Sequence, residues 1–382
     1  MTAKYPGPMV AGSELLTCPL SRRGVFAVAA LLVAGCSSRS SGVATAPSGV
    51  TSGASGSTNP TSSSHTTWVR VTGAPNVAGA RTHTVELDGL AREFIVYTPE
   101  GAAGDIAAQV VFMLHGTSGD GQRFFDGSGW RELADREGFI AVFPSSLTLC
   151  WLEDVNHDGD ILDRDDINVR TRWNAGQDSS EEPLCTAQQT AALPAPTRAK
   201  LDHPLPDDVE FVRRMLAVLS SEYSVDRARI YVSGFSNGGQ MASRLMVDLD
   251  EEFAAIAVAA GNLGLLAEPA SHPLPLVFSV GSVDDRFLAA AGVSELPLDE
   301  AIFDLPLMAK IRDDFLTVGQ LANEYTVAEV KSSLGRVVTF RFATSLVGAD
   351  NAFHFVVMEG VAHDYPRALP TALWTVFQSA HL

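Results

Sequence analysis

The sequence predicts an α/β protein with a mostly parallel central sheet and helices on both faces. Two observations predict this class. Short runs with strand character alternate along the chain with segments whose apolar residues recur at helical spacing. In addition, the run at 110–114 is apolar throughout, as expected of a strand that is buried on both faces of a parallel sheet.

The predicted elements begin with a hairpin. Asp88-Gly89 separates strand-like runs at 84–87 and 93–97, and this dipeptide is a strong hairpin signal. A helix over 209–219 starts after Pro206-Asp207-Asp208, which combines a helix-compatible proline with acidic residues. Further strands are predicted at 110–114, 139–143, 230–232, 255–259, 276–280 and 353–357, and further helices at 127–137, 238–246 and 368–377.

The first 36 residues read as a targeting segment. Arg22-Arg23 precede an apolar run at 24–35 that is too short to span a bilayer comfortably. The run ends in Val33-Ala34-Gly35-Cys36, which resembles a bacterial lipobox, so we expect Cys36 to carry lipid. An ordinary secretory signal is the alternative. The arginine pair matches a twin-arginine signal only in part, so both export routes remain open.

Residues 37–67 are mostly Ser, Thr, Gly, Ala and Pro, and we expect a flexible tether there. A catalytic domain is predicted over 68–382. The chain is 46% hydrophobic, which suffices for a large core, and its formal net charge is −18. This negative charge disfavours binding to nucleic acid and anionic membranes and favours neutral or cationic partners. The alternative is that the charge serves only to keep the protein soluble. We therefore expect membrane contact only through a lipid anchor; the sequence does not indicate an oligomeric state.

The clearest chemical motif is Gly234-Phe235-Ser236-Asn237-Gly238. It lies between a predicted strand and a predicted helix, and this is the setting of the nucleophile elbow in the α/β-hydrolase fold. The sharp turn exposes the serine hydroxyl, and glycine on each side removes Cβ atoms that would clash. We therefore predict that Ser236 is a nucleophile and that the backbone N–H of Asn237 binds the oxyanion.

The second oxyanion donor is expected in the loop after an earlier strand. His115-Gly116-Thr117 directly follows the apolar run at 110–114. We predict that the N–H of Thr117 is the second donor and that Gly116 lets the backbone approach the substrate. His115 is expected to be structural rather than a general base.

In α/β-hydrolases the acid and the histidine follow the serine in the chain. Asp284 lies just after the predicted strand at 276–280, with Asp285 as the alternative acid. His363 follows the last predicted strand and is the expected base. His354 falls within that strand and His381 is terminal, so neither suits the role. Such a triad transfers the serine proton through histidine, while aspartate orients the imidazole.

These motifs resemble secreted esterases of the polyhydroxybutyrate depolymerase-like and feruloyl esterase-like groups (carbohydrate esterase family one). The resemblance covers about 80–382. It implies an exported serine esterase for bulky or polymeric esters, which needs no cofactor for catalysis, and it places His115 and Trp173 next to the substrate. The matching segments are Leu114-His115-Gly116-Thr117, Trp173-Asn174-Ala175-Gly176, Asp207-Asp208-Val209-Glu210-Phe211, 231–239, 281–284 and 360–366.

The chain departs from this family in two places, a long acidic loop at 149–182 and a long segment between Asp284 and His363. Either could overhang the pocket. Within the loop, oxygen-bearing side chains occur at alternating positions around Gly159, close to the EF-hand pattern, so a structural calcium ion is predicted; a solvated acidic loop is the alternative. The expected ligands are Asp154, Asn156, Asp158, Asp160 and Asp165.

Cys150 and Cys185 bracket this loop and are the only cysteines outside the targeting segment. In an exported protein they are expected to form a disulfide, with two separate buried thiols as the alternative. Two other function classes stay open. A surface-binding protein on a hydrolase scaffold would have lost catalysis, and a serine peptidase would share the triad.

Overall fold

The computed structural model describes residues 75–382, except 103, 105, 154–165, 177–182, 202–204 and 266. These residues fall in the second of two units into which the chain divides, Ser64–Leu382. The predicted lipid site at Cys36, the tether and the five calcium ligands lie outside the described residues. Within the described part, no helix combines the length and apolarity needed to cross a membrane.

A ten-stranded sheet organises the chain, and its strand order is β1-β2-β4-β3-β7-β8-β9-β12-β11-β10. The six strands from β4 to β12 pair in parallel, while β1, β2, β10 and β11 pair antiparallel to their neighbours. The separate pair β5–β6 forms a two-stranded antiparallel sheet. The strands are β1 Ala80–Leu87, β2 Leu90–Tyr97, β3 Ala108–Leu114, β4 Ile140–Pro144, β5 Thr148–Leu152, β6 Ile167–Thr171, β7 Val225–Phe235, β8 Ala255–Ala259, β9 Leu276–Gly281, β10 Tyr325–Ser332, β11 Gly335–Phe342 and β12 Phe353–Met358.

Helices cover both faces of the large sheet. On one face α5, α6 and α8 contribute to one apolar core, and on the other α1, α2 and α9 contribute to a second. The helices are α1 Gly121–Gly127, α2 Trp130–Glu137, α3 Ala187–Ala192, α4 Ala195–Arg198, α5 Asp208–Glu222, α6 Asn237–Asp248, α7 Asp285–Ala291, α8 Pro306–Gly319 and α9 Leu369–Phe377, with short 3₁₀ turns at Glu100–Ala102, Ala199–Leu201 and Glu300–Asp304. This is the predicted α/β class, with a mostly parallel centre between two helical layers.

The first hairpin forms where the sequence predicts it. β1 pairs with β2 through a two-residue turn in which Asp88 has φ 53° and Gly89 has φ 75°. Positive φ at both turn positions is the type I′ requirement, which Asp-Gly meets at little cost. The strands are longer than predicted, because residues 80–83 and 90–92, which include polar side chains, also join the ladder.

The helix predicted over 127–137 is present as α2, but it begins three residues later than predicted, after a break that separates it from α1. Gly129 lies in that break with φ 86°, a left-handed conformation that interrupts a right-handed helix. A Cβ atom at Gly129 would lie 2.2 Å from the carbonyl oxygen of Arg367. The close approach of these two segments therefore requires glycine.

The long segment between Asp284 and His363 builds α7, α8, β10 and β11. β11 pairs with β12, and β10 forms the outer edge of the sheet. The larger part of this segment therefore builds the fold, because α8 packs into one core and the hairpin extends the sheet.

Candidate active site

Ser236 occupies a strained turn between β7 and α6, with φ 53° and ψ −121°. Two close backbone approaches explain the flanking glycines. A Cβ at Gly234 would lie 2.0 Å from the carbonyl oxygen of Gly238, and a Cβ at Gly238 would lie 2.3 Å from that of Leu114. Neither space admits a side chain, so glycine on both sides is what allows this turn. Outliers of this kind are found where structure holds a reactive group in position.

His363 connects Ser236 to an aspartate. The Nε2 atom of His363 lies 3.0 Å from Ser236 Oγ, and its Nδ1 atom lies 2.9 Å from Asp284 Oδ2. Phe235 packs against the imidazole with ring centroids 5.0 Å apart, which limits the ring's movement. The structure thus brings the three side chains predicted from sequence into one hydrogen-bonded chain.

Burial separates the two candidate acids. Asp284 is fully buried, and its second carboxylate oxygen accepts the backbone N–H of Arg286 at 3.1 Å. Asp285 is exposed and begins α7, so its side chain does not replace Asp284 at the imidazole. A buried carboxylate held by several donors keeps a fixed orientation, as the orienting member of a triad must.

The two other histidines considered for the base, His354 and His381, lie apart from this chain of hydrogen bonds. His354 is within β12, where burial, assisted by the charge of Arg341, lowers its pKa to about 4. It is therefore neutral at ordinary pH. His381 is exposed near the C-terminus.

The loop that follows β3 lies against the elbow. A Cβ at Gly116 would approach the Cβ of Ser236 to 3.3 Å. Ser118 donates its N–H to the carbonyl of Thr171, and the Thr171 hydroxyl donates to Gly119 O at 2.7 Å. In the described part of the chain, the N–H groups of Thr117 and Asn237 donate to no backbone or side-chain acceptor. Both donors therefore remain available to an anion beside Ser236.

His115 and Trp173 lie behind this loop. The His115 ring is fully buried; its Nδ1 bonds to Gly116 O, and its Nε2 accepts the N–H of Ser146. Trp173 is 1% exposed, and its indole N–H donates to His115 O. Its backbone N–H also donates to the side chain of Asn237 at 2.6 Å. The expectation that the His115 ring touches substrate needs correction, because burial makes it a support of the loop.

Sequence reasoning missed Ser282, which joins the aspartate and histidine loops. Its buried hydroxyl accepts the N–H of Gly360 at 2.9 Å and donates to Glu295 at 3.0 Å. Its backbone N–H donates to Met358 O at 2.8 Å. Ser282 lies two residues before Asp284, and Gly360 lies three before His363. No local pattern announces this contact, since its partners are far apart in sequence.

A second missed group lies beneath the elbow. The Tyr365 hydroxyl accepts the Trp130 indole N–H at 2.8 Å and lies 2.9 Å from the Ser233 hydroxyl. Burial raises the pKa of Tyr365, so the phenol stays neutral and is able to donate to Ser233. This network ties the segment after His363 to the strand that carries the nucleophile.

The predicted disulfide between Cys150 and Cys185 is present. It fastens β5 to the segment that precedes α3, and Cys185 also donates its N–H to Cys150 O at 3.0 Å. The base of the acidic loop is closed by a bond from Glu153 N to Asp166 O, and Arg286 lies 3.6 Å from Glu153. The loop therefore leaves the hairpin beside the helix that follows Asp284.

Within the described ranges, no group of three or more His, Cys, Asp or Glu side chains is arranged to hold a metal ion. The predicted calcium ligands belong to the undescribed residues 154–165. Their role remains a prediction.

No protein-family model matches the chain. Feruloyl esterase B from Piromyces equi is 26% identical over 211 residues, which are 54% of this chain and 31% of the relative. A bifunctional acetylxylan esterase/xylanase from Neocallimastix patriciarum is 24% identical over 197 residues, or 52% of this chain and 22% of the relative. The match thus spans less than a third of each relative's length.

Among solved structures, an acetyl xylan esterase from Aspergillus awamori is 14% identical and has a TM-score of 0.48; the alignment covers 78% of this chain and 99% of that one. The assignment of the fold is based on the strand order of the sheet and on the elbow at the end of β7. The chain has the α/β-hydrolase fold and is feruloyl esterase-like in sequence.

Proposed function

We propose that this protein is a serine ester hydrolase that forms an acyl-enzyme on Ser236. One observation carries the proposal: the hydrogen-bonded chain from Ser236 Oγ through His363 to buried Asp284, next to two unoccupied backbone donors. This combination supplies a nucleophile, a base, an orienting acid and an oxyanion site.

In the acylation step, Ser236 Oγ attacks the ester carbonyl carbon while His363 Nε2 accepts the hydroxyl proton. The carbonyl oxygen becomes an oxyanion, which the N–H groups of Thr117 and Asn237 stabilise. Collapse of this intermediate breaks the bond to the alcohol, and His363 returns the proton to the leaving oxygen. Asp284 holds the imidazole in the required tautomer and stabilises its cation.

Deacylation repeats these steps with water. His363 removes a proton from the water, whose oxygen attacks the acyl carbon, and the proton then goes to Ser236 Oγ as the acid leaves. Every proton transfer is served by one imidazole, and the chemistry needs no cofactor.

For the substrate we propose esters of bulky or polymeric molecules. Acetyl or feruloyl groups on polysaccharide are favoured, because the relatives are named as feruloyl and acetylxylan esterases. Hydroxyalkanoate polyesters are the second candidate, on the family resemblance in the motifs alone.

We further propose export and attachment by lipid at Cys36, on the strength of the Val33-Ala34-Gly35-Cys36 ending. The tether at 37–67 would then hold the catalytic domain, 68–382, off the membrane. A structural calcium ion in the acidic loop is proposed from its ligand spacing.

Hydrolysis of p-nitrophenyl acetate by the purified protein tests the central proposal. Ser236→Ala should lose at least a thousandfold in turnover while keeping the melting temperature, because removing a triad nucleophile costs several orders of magnitude. A variant that retains a tenth of the rate would exclude Ser236 as nucleophile. Binding of polysaccharide without turnover would favour the surface-binding alternative, and faster cleavage of a peptide amide than of an ester would favour a peptidase.

A further inference from the structure

A cavity of about 320 Å³ lies beside the elbow, and Asn237 forms part of its wall. The other walls come from β5, from residues 172–176 and from α6. Its volume falls in the range of small-molecule sites, about 300–1,000 Å³. Because Asn237 also carries one of the proposed oxyanion donors, a group bound in this cavity would lie near the reacting ester.

Two guanidinium groups line this cavity in a strongly acidic protein. Arg172 and Arg244 both line it, and no acidic side chain from the described residues does. The guanidinium of Arg172 packs over the Trp151 ring at 4.7 Å. The overall charge of −18 predicts neutral or cationic partners, so this lining is a local departure from the rest of the chain.

Arg244 is held in a fixed position. Its Nε donates to Asp248 at 2.9 Å, and its Nη1 donates to the carbonyl of Asn174 at 2.8 Å. Its Nη2 donates to no group in the described structure, and the side chain keeps 21% of its exposure. A guanidinium fixed through two nitrogens with the third available is preorganised for an external acceptor.

The remaining lining includes apolar side chains that can pack against the face of a ring. Leu149 and Trp173 are buried walls, while Leu184 and Leu205 are 43% and 51% exposed. A lining that combines apolar side chains with a guanidinium matches a ligand that combines a ring face with a carboxylate. With Nε and Nη1 engaged, Nη2 is left to donate to one anionic oxygen, and a uronate carboxylate supplies such an oxygen.

We propose that this cavity binds the carboxylate of a uronate sugar, so that the preferred substrates are ester groups on an acidic polysaccharide. This inference rests on the proposed esterase function. Asp248 accepts from Arg244 Nε but does not line the cavity, and acidic side chains more than about 8 Å away are largely screened at physiological ionic strength. The Arg244 guanidinium, in contrast, would contact the bound carboxylate directly, so this attraction is not screened.

The first test compares acetylated glucuronoxylan oligosaccharides with the same material after reduction of the uronate carboxyl to an alcohol. We expect kcat/KM to be at least about tenfold higher on the acidic form, since a charge-assisted hydrogen bond contributes on that order. In Arg244→Gln this preference should fall towards one, whereas Arg213→Gln, which changes an exposed arginine on α5, should keep it. Equal rates on both substrates, or a preference that survives in Arg244→Gln, would overturn the proposal.

The second test measures binding without catalysis. Calorimetry with Ser236→Ala and a deacetylated glucuronoxylan oligosaccharide should give a Kd about tenfold lower than for its carboxyl-reduced counterpart. Adding Arg244→Gln should abolish that difference. An unchanged Kd would count against the site, and the melting temperature of each variant shows whether it is folded.

Turnover of p-nitrophenyl acetate by the unmodified enzyme separates the two proposals. Without it, the proposed esterase function fails. If the enzyme hydrolyses p-nitrophenyl acetate but shows no preference for the acidic oligosaccharide, the proposed esterase function stands and the carboxylate site is refuted.

Discussion

Replacing Ser282 by alanine tests whether the contact between the aspartate and histidine loops positions the triad. The change removes the hydroxyl that accepts from Gly360 and donates to Glu295. Two backbone bonds between the loops remain, from Ser282 N to Met358 O and from Val283 N to Val361 O. The loops should therefore stay attached while His363 loses part of its constraint.

The expected magnitudes follow from those contacts. Gly360 is exposed, so water replaces its lost acceptor and the free energy of unfolding should fall by only about 1 kcal/mol. Catalysis is more sensitive, because a small displacement of an aligned group costs up to about a hundredfold. We expect kcat for p-nitrophenyl acetate to fall about tenfold, with a smaller change in KM.

Steady-state kinetics and thermal melting of Ser282→Ala measure both effects. The matched control is Ser220→Ala, because the Ser220 hydroxyl donates to the carbonyl of Leu216 on α5, on a helix that carries no triad residue. The control should lose comparable stability and keep its kcat. Wild-type kcat in Ser282→Ala, or an equal loss in both variants, would refute the positioning role.

Asp284→Asn should reduce kcat by roughly 10⁴, the size of the corresponding effect in chymotrypsin-type proteases, whereas exposed Asp285→Asn should change it less than threefold; the reverse ranking in kinetics would move the acid to Asp285. The pKa of His354 is about 4 in the folded protein against an ordinary 6.5, so the unfolded chain binds the extra proton and stability is lost as pH falls between those values. His354→Gln should flatten the decline in melting temperature between pH 7 and pH 5, and an unchanged slope would contradict this. Millimolar calcium should raise the melting temperature, because an ion that binds residues 154–165 only in the folded state stabilises that state. Calorimetry with and without chelator measures this, and an unchanged melting temperature would contradict calcium binding. Mass spectrometry of the mature N-terminus should find lipid on Cys36, whereas an unmodified chain that begins elsewhere would indicate a plain secretory signal.

The sequence predicted those parts of the fold whose signals are local. Asp88-Gly89 specified its hairpin, and the run from 110 to 114 marked a buried strand. The β10–β11 hairpin was missed because its two-residue turn is Ser333-Leu334, which lacks the Asn-Gly or Asp-Gly signature. The β5–β6 hairpin was missed because its strands are joined by a long acidic loop rather than a tight turn.

The same distinction holds within the site. Ser236 and the loop at Gly116 were predicted because the elbow requires close backbone approaches, which only glycine allows and which therefore leave short glycine-containing motifs in the sequence. Asp284 and His363 followed from their order after strands. Ser282 and Tyr365 were missed, because the importance of their hydroxyls depends on partners 78 and 132 residues away.

The separation of β5–β6 from the large sheet has a consequence for how such a protein diversifies. The glycines of the elbow leave no room for a Cβ atom, so few substitutions can be tolerated there. The small hairpin shares no ladder with the central strands, and its disulfide fastens it to the neighbouring segment. Insertions in its connecting loop therefore leave the register of the catalytic sheet intact. The connecting loop is consequently the part that can vary while the catalytic groups keep their positions, whereas β6 itself cannot, because Thr171 bonds to Ser118 and Gly119 in the loop after β3.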